Sequence, residues 1–234
     1  MPGRNRLAQS RFFKELPKET LDFLWREGCV REFSKGSVLI HAGEIPVSVY
    51  IQLTGKSMIY NLTHAGRRKI LFIFGSGVLL NEHVENVKAS SCYCEMINKS
   101  KVLVISSAKF LQRMEKDFQL AKAVLVIQEW KMWRLCHQLK NTLGGIGLER
   151  KLAAKLWKLS RDFGVKREDG IEIDVDMSIT FLADMLGTPR ETASRLCTML
   201  LNYGLIQRKK KRIIITNPKG MATFYKTGKI EEPQ

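Results

Sequence analysis

The sequence predicts an α+β protein in three parts: a β-roll, one long helix, and a helical unit closed by a strand pair. Three observations carry that reading. Gly36, Gly43, Gly55, Gly66 and Gly77 punctuate residues 1–105 and bracket short β-type runs. Residues 107–142 contain neither glycine nor proline, as a continuous helix requires. From residue 149 helical periodicity returns and ends in the β-type run RIIITN.

In the first part, a short helix over Lys18–Glu27 precedes the strands. The runs VLIHAGE, VSVYIQLTG, KSMIYNLTHAG, RRKILFIFGSG and KVLVIS each form a strand or strand pair stopped by a turn residue. Val49, Ile51 and Leu53 alternate with Tyr50, Gln52 and Thr54, the period of a half-buried strand. Many short strands at this spacing close into a roll or barrel.

The long helix places Phe118, Ala121, Leu125, Gln128, Met132, Leu135, Leu139 and Thr142 at alternating spacings of three and four. That is a coiled-coil-like seam with two polar interruptions. The stretch from Ala121 to Trp133 is apolar on more than one face, so one side meets the roll and another meets a second subunit. Packing of the whole helix on its own domain is the competing reading. Gly144, Gly145 and Gly147 break the helix and mark a hinge.

Beyond the hinge, ERKLAAKLWKLSRDFG is an amphipathic helix ended by Gly164, and IEIDVDM is a short strand. Ser178 caps the next helix, whose buried side is Ile179, Leu182, Ala183 and Leu186. Gly187 ends it in a turn that tolerates positive φ. Thr188 caps a further helix, with Pro189 at its first position and Glu191 three residues after the cap, a capping box. Ala193, Leu196, Cys197, Leu200 and Leu201 face the core. Helix, tight turn and capped helix make a helix-turn-helix. The basic run Arg208–Arg212, followed by β-type residues, makes a hairpin with a cationic tip, a wing.

Charge and composition narrow the function classes. The 234 residues carry 39 Lys+Arg against 23 Asp+Glu, a formal net charge of +16. Such an excess suits an anionic partner, nucleic acid or an acidic membrane face. Roughly +10 falls in residues 1–148 and roughly +6 after them, so the charge is not confined to one face. No run of about 18 apolar residues is present to cross a membrane, and the basic start lacks the apolar core of a secretory signal. Cys29, Cys92, Cys94, Cys136 and Cys197 are odd in number and scattered, which fits a reducing cytoplasm better than a disulfide framework. No Ser-His-Asp order, phosphate loop or paired metal-ligand motif points to an enzyme.

The helix pair carries the chemistry. Arg190, Glu191, Ser194 and Arg195 share the exposed face at the amino end of the second helix, the part that enters a major groove. An arginine can bond guanine O6 and N7 together, a glutamate can accept from cytosine N4, and a serine fits several base edges. The helix N-terminus, with Thr188 and Thr192, can hold a backbone phosphate. Lys209, Lys210 and Lys211 on the wing add affinity without sequence information. The expected partner is double-stranded DNA. Use of the same hairpin to dock another protein is the rival reading.

The run GTPRETASRLCTMLLNYGLI followed by RIIIT closely resembles the winged helix-turn-helix of the cyclic-AMP receptor protein and fumarate–nitrate reductase regulator family. SVLIHAGEIPVSVYIQLTG and SMIYNLTHAGRRKILFIFGSGVLLNE resemble that family's effector-binding roll, and the long helix resembles its dimerisation helix. The resemblance covers nearly the whole chain. It implies a cyclic-nucleotide-binding-like jelly roll over 1–106, a dimerisation helix over 107–143 and a DNA-binding domain over 149–234. It further implies that Arg190, Glu191 and Arg195 read the half-site. Ser194 beside Arg195 looks like the redox-regulator branch and Arg190 like the cyclic-AMP branch, which leaves TGTGA-like and TTGA-like half-sites both open.

The family fixes cyclic nucleotides with a Gly-Glu pair and an Arg-Ser pair. Here Leu80-Asn81-Glu82-His83 and Ala89-Ser90-Ser91 stand instead, so the glycine is Asn81 and the arginine is absent. A buried phosphate without a cation partner is costly, so cyclic AMP is not the expected effector. The iron–sulfur branch needs N-terminal cysteines, and none precedes Cys29. The resemblance instead implies a small organic molecule, as in the halophenol-sensing branch, held near Asn81, Glu82, His83, Ser90, Ser91, Trp133 and Cys136. The alternative is haem-based sensing of CO or NO. Gly77 and His83 keep that branch's Gly-to-His spacing and Pro2 supplies its N-terminal proline, but Asn81 stands where that branch has a cysteine. No other cofactor is expected. Trp130 and Trp133 read equally well as core or interface packing. Cys92 and Cys94 read as a redox pair or as structural thiols. The whole implies a cytoplasmic homodimer on an inverted repeat, two recognition helices about 34 Å apart, with RNA polymerase as a further partner if it activates, and no membrane association.

Overall fold

The computed structural model describes residues 10–85, 87–143 and 145–230, leaving aside the side chains of 140–143. Contacts divide the chain into two compact units: residues up to 62 together with 70–136, and residues 63–69 together with those from 137 onward.

The first unit opens with α1 (Lys18–Glu27) and continues through β1 (Cys29–Phe33), β2 (Val38–Ile40), β3 (Ser48–Thr54), β4 (Ser57–Leu62), β5 (Arg68–Phe74), β6 (Val78–Leu79), β7 (Tyr93–Met96) and β8 (Ser100–Ser106). Two helices follow, α2 (Ser107–Met114) and α3 (Phe118–Leu143). The strands form two four-stranded sheets, ordered β1-β8-β3-β6 and β2-β7-β4-β5. The non-sequential neighbours are those of a roll. Ile51, Leu53, Ile40, Cys94, Met96, Leu103 and Ile105 bury one face of each sheet, and Phe110, Leu120, Val124 and Ile127 from the helices join the same core. Gly55 turns β3 into β4 at φ 81°, where a Cβ would strike Ser100 and the Lys99 carbonyl, so only glycine fits.

Three features of the roll differ from the sequence expectation. Gln52 is buried, not on a wet face: its Oε1 accepts from Ser57 Oγ at 2.6 Å and its amide reaches Ser100 Oγ at 3.5 Å. Burial is tolerated because the amide is bonded. β1 and β7 carry no alternating signal, since CVREF is exposed along most of its length and YCEM is half-buried or buried throughout. The long helix is two helices. Asp117 interrupts it, its Oδ1 accepting from the amides of Gln119 and Leu120 at 3.1 and 3.2 Å. Its Oδ2 meanwhile accepts from Thr20 Oγ1 at 2.5 Å and Arg113 Nε at 3.0 Å. The carboxylate caps a fresh helix start and ties it to α1.

The second unit contains α4 (Leu148–Phe163), β9 (Gly164–Arg167), β10 (Gly170–Ile173), α5 (Ile179–Leu186), α6 (Arg190–Asn202), β11 (Ile206–Lys209), β12 (Arg212–Ile215) and α7 (Pro218–Thr227). Its sheet runs β11-β12-β10-β9. The α3–α4 break falls where the glycines predict it, with Gly145 at φ 58°. β9 and α7 escaped the sequence reading. The signal for α7 is present, since Asn217 Oδ1 accepts from Gly220 N, Pro218 opens the helix and Gly228 closes it at φ 78°.

Candidate nucleic-acid interface and sensor site

Local chemistry builds the helix pair. Ser178 Oγ accepts from Phe181 N at 3.1 Å and caps α5, and Gly187 ends it at φ 69°, ψ 41°. On α6, Ala193, Leu196, Cys197 and Leu200 are buried, and Leu201 is half-buried. Arg190, Glu191, Ser194 and Arg195 are all exposed on the opposite face. Thr198 and Asn202 extend that face toward the carboxyl end. Their four-residue spacing from Ser194 was the available signal.

The expected capping box is a correction. The helix begins at Arg190, its N-cap is Pro189 at ψ 152°, and no side chain caps it. Thr188 instead donates its amide to the Ala183 carbonyl at 3.1 Å. Proline's fixed φ suits the extended cap position, so the helix start slides one residue. Glu191 still lies in the first turn, where the helix dipole favours it. Thr188 and Thr192 are half-buried.

β11 and β12 pair Lys209 with Arg212, so Lys210 and Lys211 form a two-residue wing tip. Met177 N donates to Lys211 O at 2.7 Å and anchors it. Lys210 holds φ 56°, a region left-handed for a non-glycine residue. The expectation of three equivalent lysines is modified by the ion pairs. Lys209 Nζ lies 2.7 Å from Asp169 Oδ2, and its hydrogen bond holds the Asp169 carboxyl below the usual range. Arg212 bonds Asp174 at 2.5 Å and Asp176 at 3.0 Å. Among the described residues Lys210 and Lys211 make no ion pair, so the tip keeps two uncommitted cations.

In the first unit, Glu82, His83, Ser90 and Ser91 come together as expected. Ser91 N and Oγ donate to Glu82 Oε2 at 2.8 and 2.9 Å, and His83 Nε2 stands 3.7 Å from Glu82 Oε1. Among the described residues no arginine or lysine bonds to Ser90 or Ser91. Asn81 is not an open ligand group. It is 1% exposed, its Oδ1 accepts from Tyr50 N at 2.7 Å, and its Nδ2 donates to Ser48 O at 2.9 Å. It thereby prolongs the β3–β6 ladder with a side chain.

Trp133 and Cys136 are exposed and lie away from the α3 face that meets this segment. That face is marked by Gln128, whose amide donates to Glu82 O at 3.0 Å, and Lys131, whose Nζ donates to Asn81 O at 2.8 Å. Helix rotation is the reason: residues 127, 130, 131 and 134 share the inward side, and 133 and 136 do not. Gln128, read as a seam position, instead faces this segment, and Lys131 and the buried Arg134 share that inward side without having been picked out by the seam periodicity. Burial pulls the Lys131 ammonium down to about 8 and pushes the Cys94 thiol up to about 12. Burial raises Cys92 as well. Both thiols are therefore held protonated, which favours structural cysteines over a redox pair. Pro2 lies outside the described residues.

The outer side of α3 leaves Phe118, Leu125, Met132, Leu135 and Leu139 exposed, while Leu120, Val124 and Ile127 are buried. Five seam positions are thus uncovered in the single chain, whereas Ala121 and Gln128 are half-buried and Gln128 turns its amide to Glu82 O; the Thr142 side chain lies outside the described set.

Among the described residues no helix is long and apolar enough to cross a membrane, and none of their His, Cys, Asp and Glu side chains cluster as metal ligands.

Comparison with known proteins places these features. The profile of the cyclic nucleotide-binding domain matches residues 30–117, and that of the Crp-like helix-turn-helix domain matches residues 150–224. A curated relative from Lacticaseibacillus casei, named "Probable transcriptional regulator flp", is 30% identical over 216 residues, covering 91% of this chain and 94% of its own. Two solved structures share the fold. One is a mutant of CooA from Carboxydothermus hydrogenoformans, with a TM-score of 0.73, 17% identity and coverage of 89% of this chain and 94% of that one. The other is CprK complexed with OCPA, with a TM-score of 0.62, 19% identity and coverage of 87% of this chain and 94% of that one. With its roll, its outward-facing recognition helix and its wing, this chain belongs to the cyclic-AMP receptor protein and fumarate–nitrate reductase regulator (CRP/FNR) family of transcription regulators, with a DNA-binding helix-turn-helix.

Proposed function

We propose that the protein is a cytoplasmic, effector-responsive regulator that binds an inverted-repeat DNA site as a homodimer and senses a small organic molecule. The carrying observation is the exposed quartet Arg190, Glu191, Ser194 and Arg195 at the amino end of α6. Four polar side chains held outward by a buried Ala193–Leu200 stripe match major-groove reading. The uncovered seam on α3 supports the dimer, since apolar residues at heptad spacing are stable in water when a second helix covers them. Two-fold symmetry would then present two recognition helices to successive grooves. RNA polymerase is a further partner if the bound dimer activates.

The organic effector is supported by what the residues refuse. Glu82 occupies the Ser91 donors that an anionic phosphate would need, and among the described residues no lysine or arginine bonds to them. A cyclic nucleotide does not fit that arrangement. A haem sensor is the second reading, carried by His83, which is only partly buried. Asn81 spends both side-chain polar atoms on β3 and cannot stand in for the missing ligand. An absorption spectrum in the visible region of the purified protein decides for or against haem.

Selection from a library of palindromic duplexes, followed by gel shift and mass measurement, tests the regulator. The expected result is a preferred inverted repeat bound by a species of twice 26.8 kDa. A monomer that binds all duplexes alike would overturn the reading.

A further inference from the structure

The strand that leads into the wing carries an arginine on its inner face. Burial alternates along β11: Ile206 is buried, Gln207 exposed, Arg208 half-buried and Lys209 exposed. Ile206 and Arg208 therefore share one side of the strand, and β11 packs against α6. Arg208 stands opposite the fully buried Ile213. Its charge also reaches α6: burial raises the pKa of the Cys197 thiol, and Arg208 opposes that rise.

This side chain lacks the acceptor its position calls for. Arg208 Nε is buried and bonds to nothing among the described residues. The cations beside it are committed, Lys209 to Asp169 and Arg212 to Asp174 and Asp176. A buried donor without an acceptor costs free energy, and native folds leave few such groups. The methylene stem of an arginine packs well in such a place, so an aliphatic residue would serve the fold at least as well. What the guanidinium adds is a planar fork of donors, whose shape matches a phosphate.

We propose that Arg208 clamps a backbone phosphate of the DNA from the cleft between α6 and the wing. A helix set in a major groove with a hairpin beside it leaves one sugar–phosphate strand to run between the two. Arg208 lies on the α6 side of β11, two residues before the tip residue Lys210. The contact fixes how the helix sits in the groove and carries no base information. It differs from the tip, where Lys210 and Lys211 are exposed point charges on flexible stems. Arg208 is already ordered between strand and helix, so less freedom is lost when its bonds form. The clamp rests on the reading of α6 as the DNA-binding helix and gives that helix an anchor.

The test uses the full chain and Arg208→Met, which keeps most of the stem and removes the fork. In Arg208→Met, affinity for preferred and scrambled duplexes alike should fall about tenfold, and the salt slope should fall by about 1. The melting temperature without DNA should stay level or rise. Duplexes carrying one neutral methylphosphonate at a time then locate the partner. At one position the substitution should cost the native chain about tenfold and cost Arg208→Met nothing further. Unchanged affinity and slope in Arg208→Met, or a methylphosphonate cost that both chains share at every position, would overturn the clamp. So would a lower melting temperature or failure to fold, since the guanidinium would then be serving the fold. A native chain that selects an inverted repeat, beside an Arg208→Met that binds it equally well, sinks the clamp alone. A native chain with no sequence preference sinks the regulator reading and the clamp with it.

Discussion

Glu82 bonds back onto Ser91: the carboxylate takes the Ser91 amide at 2.8 Å and its hydroxyl at 2.9 Å. A negative group thus fills the donor end of the loop that follows the roll's β6. An incoming phosphate meets repulsion there in place of a cradle.

Cyclic AMP is therefore expected to leave both the melting temperature and the DNA affinity unchanged. Ser91→Ala removes the hydroxyl donor from a charged acceptor at a partly exposed site and costs about 1 kcal/mol. Thermal denaturation with and without the nucleotide checks both statements. A nucleotide-dependent rise in melting temperature would count against the assignment of Glu82.

Asp117 joins two helices and a third. Burial acts to raise its pKa, but the Thr20 hydroxyl, the Leu120 amide and Arg113 outweigh it and hold the carboxyl below its ordinary value. A depressed folded value means the stabilisation is present above the unfolded pKa and is lost as pH falls through the folded one. Asp117→Ala should cost about 1–2 kcal/mol near neutral pH, as for a lost cap. The difference from the native chain should shrink below about pH 4. Urea denaturation at pH 7 and pH 3 measures it, and an equal loss at both would exclude the carboxylate as the cause.

Lys131 is also depressed, but here it is the charged form that the fold disfavours. The groups facing it are Glu82 after β6, Cys94 on β7, the ring of Phe74 on β5 and Arg134 on its own helix. Its folded pKa, about 8, is below that of a free lysine. The unfolded chain then binds the extra proton between about pH 8 and pH 10.4, so stability rises with pH across that window. Lys131→Met should abolish the rise attributable to this group and raise the melting temperature at pH 7. Parallel melting curves from pH 7 to 9.5 compare the two chains. Identical pH slopes would show that the ammonium does not carry the strain.

On the proposed reading, the wing and α6 divide the work of DNA binding. Lys210 stands at φ 56°, a conformation that costs a non-glycine residue about 1 kcal/mol. Lys210→Gly should stabilise the fold by up to that amount while weakening all duplexes alike and lowering the salt slope by about 1. Arg195→Ala should cost about 1–3 kcal/mol on the preferred site only and relax base choice. Fluorescence anisotropy on specific and scrambled duplexes over a salt series distinguishes them. Two variants with the same sequence-blind loss would refute the division.

Local periodicity determined much of the outline. The Lys18–Glu27 helix, the Ser178 cap, the Gly187 turn and the buried stripe of α6 were legible because each depends on neighbours a few residues away. The outward placing of Arg190, Glu191, Ser194 and Arg195 follows from that stripe by helix geometry. Tertiary structure decided what sequence spacing does not encode. Thr20 meets Asp117 across 97 residues and splits the long helix. Asn81 finds Tyr50 and Ser48, Gln52 finds Ser57 and Ser100, and Lys131 reaches Asn81 across 50 residues. Strand register and helix rotation bring these partners together, and both are set by how the whole core packs. The exposed polar face of α6 was therefore visible in the chain itself, while the polar contacts between the roll and α3 emerged only when the two packed together.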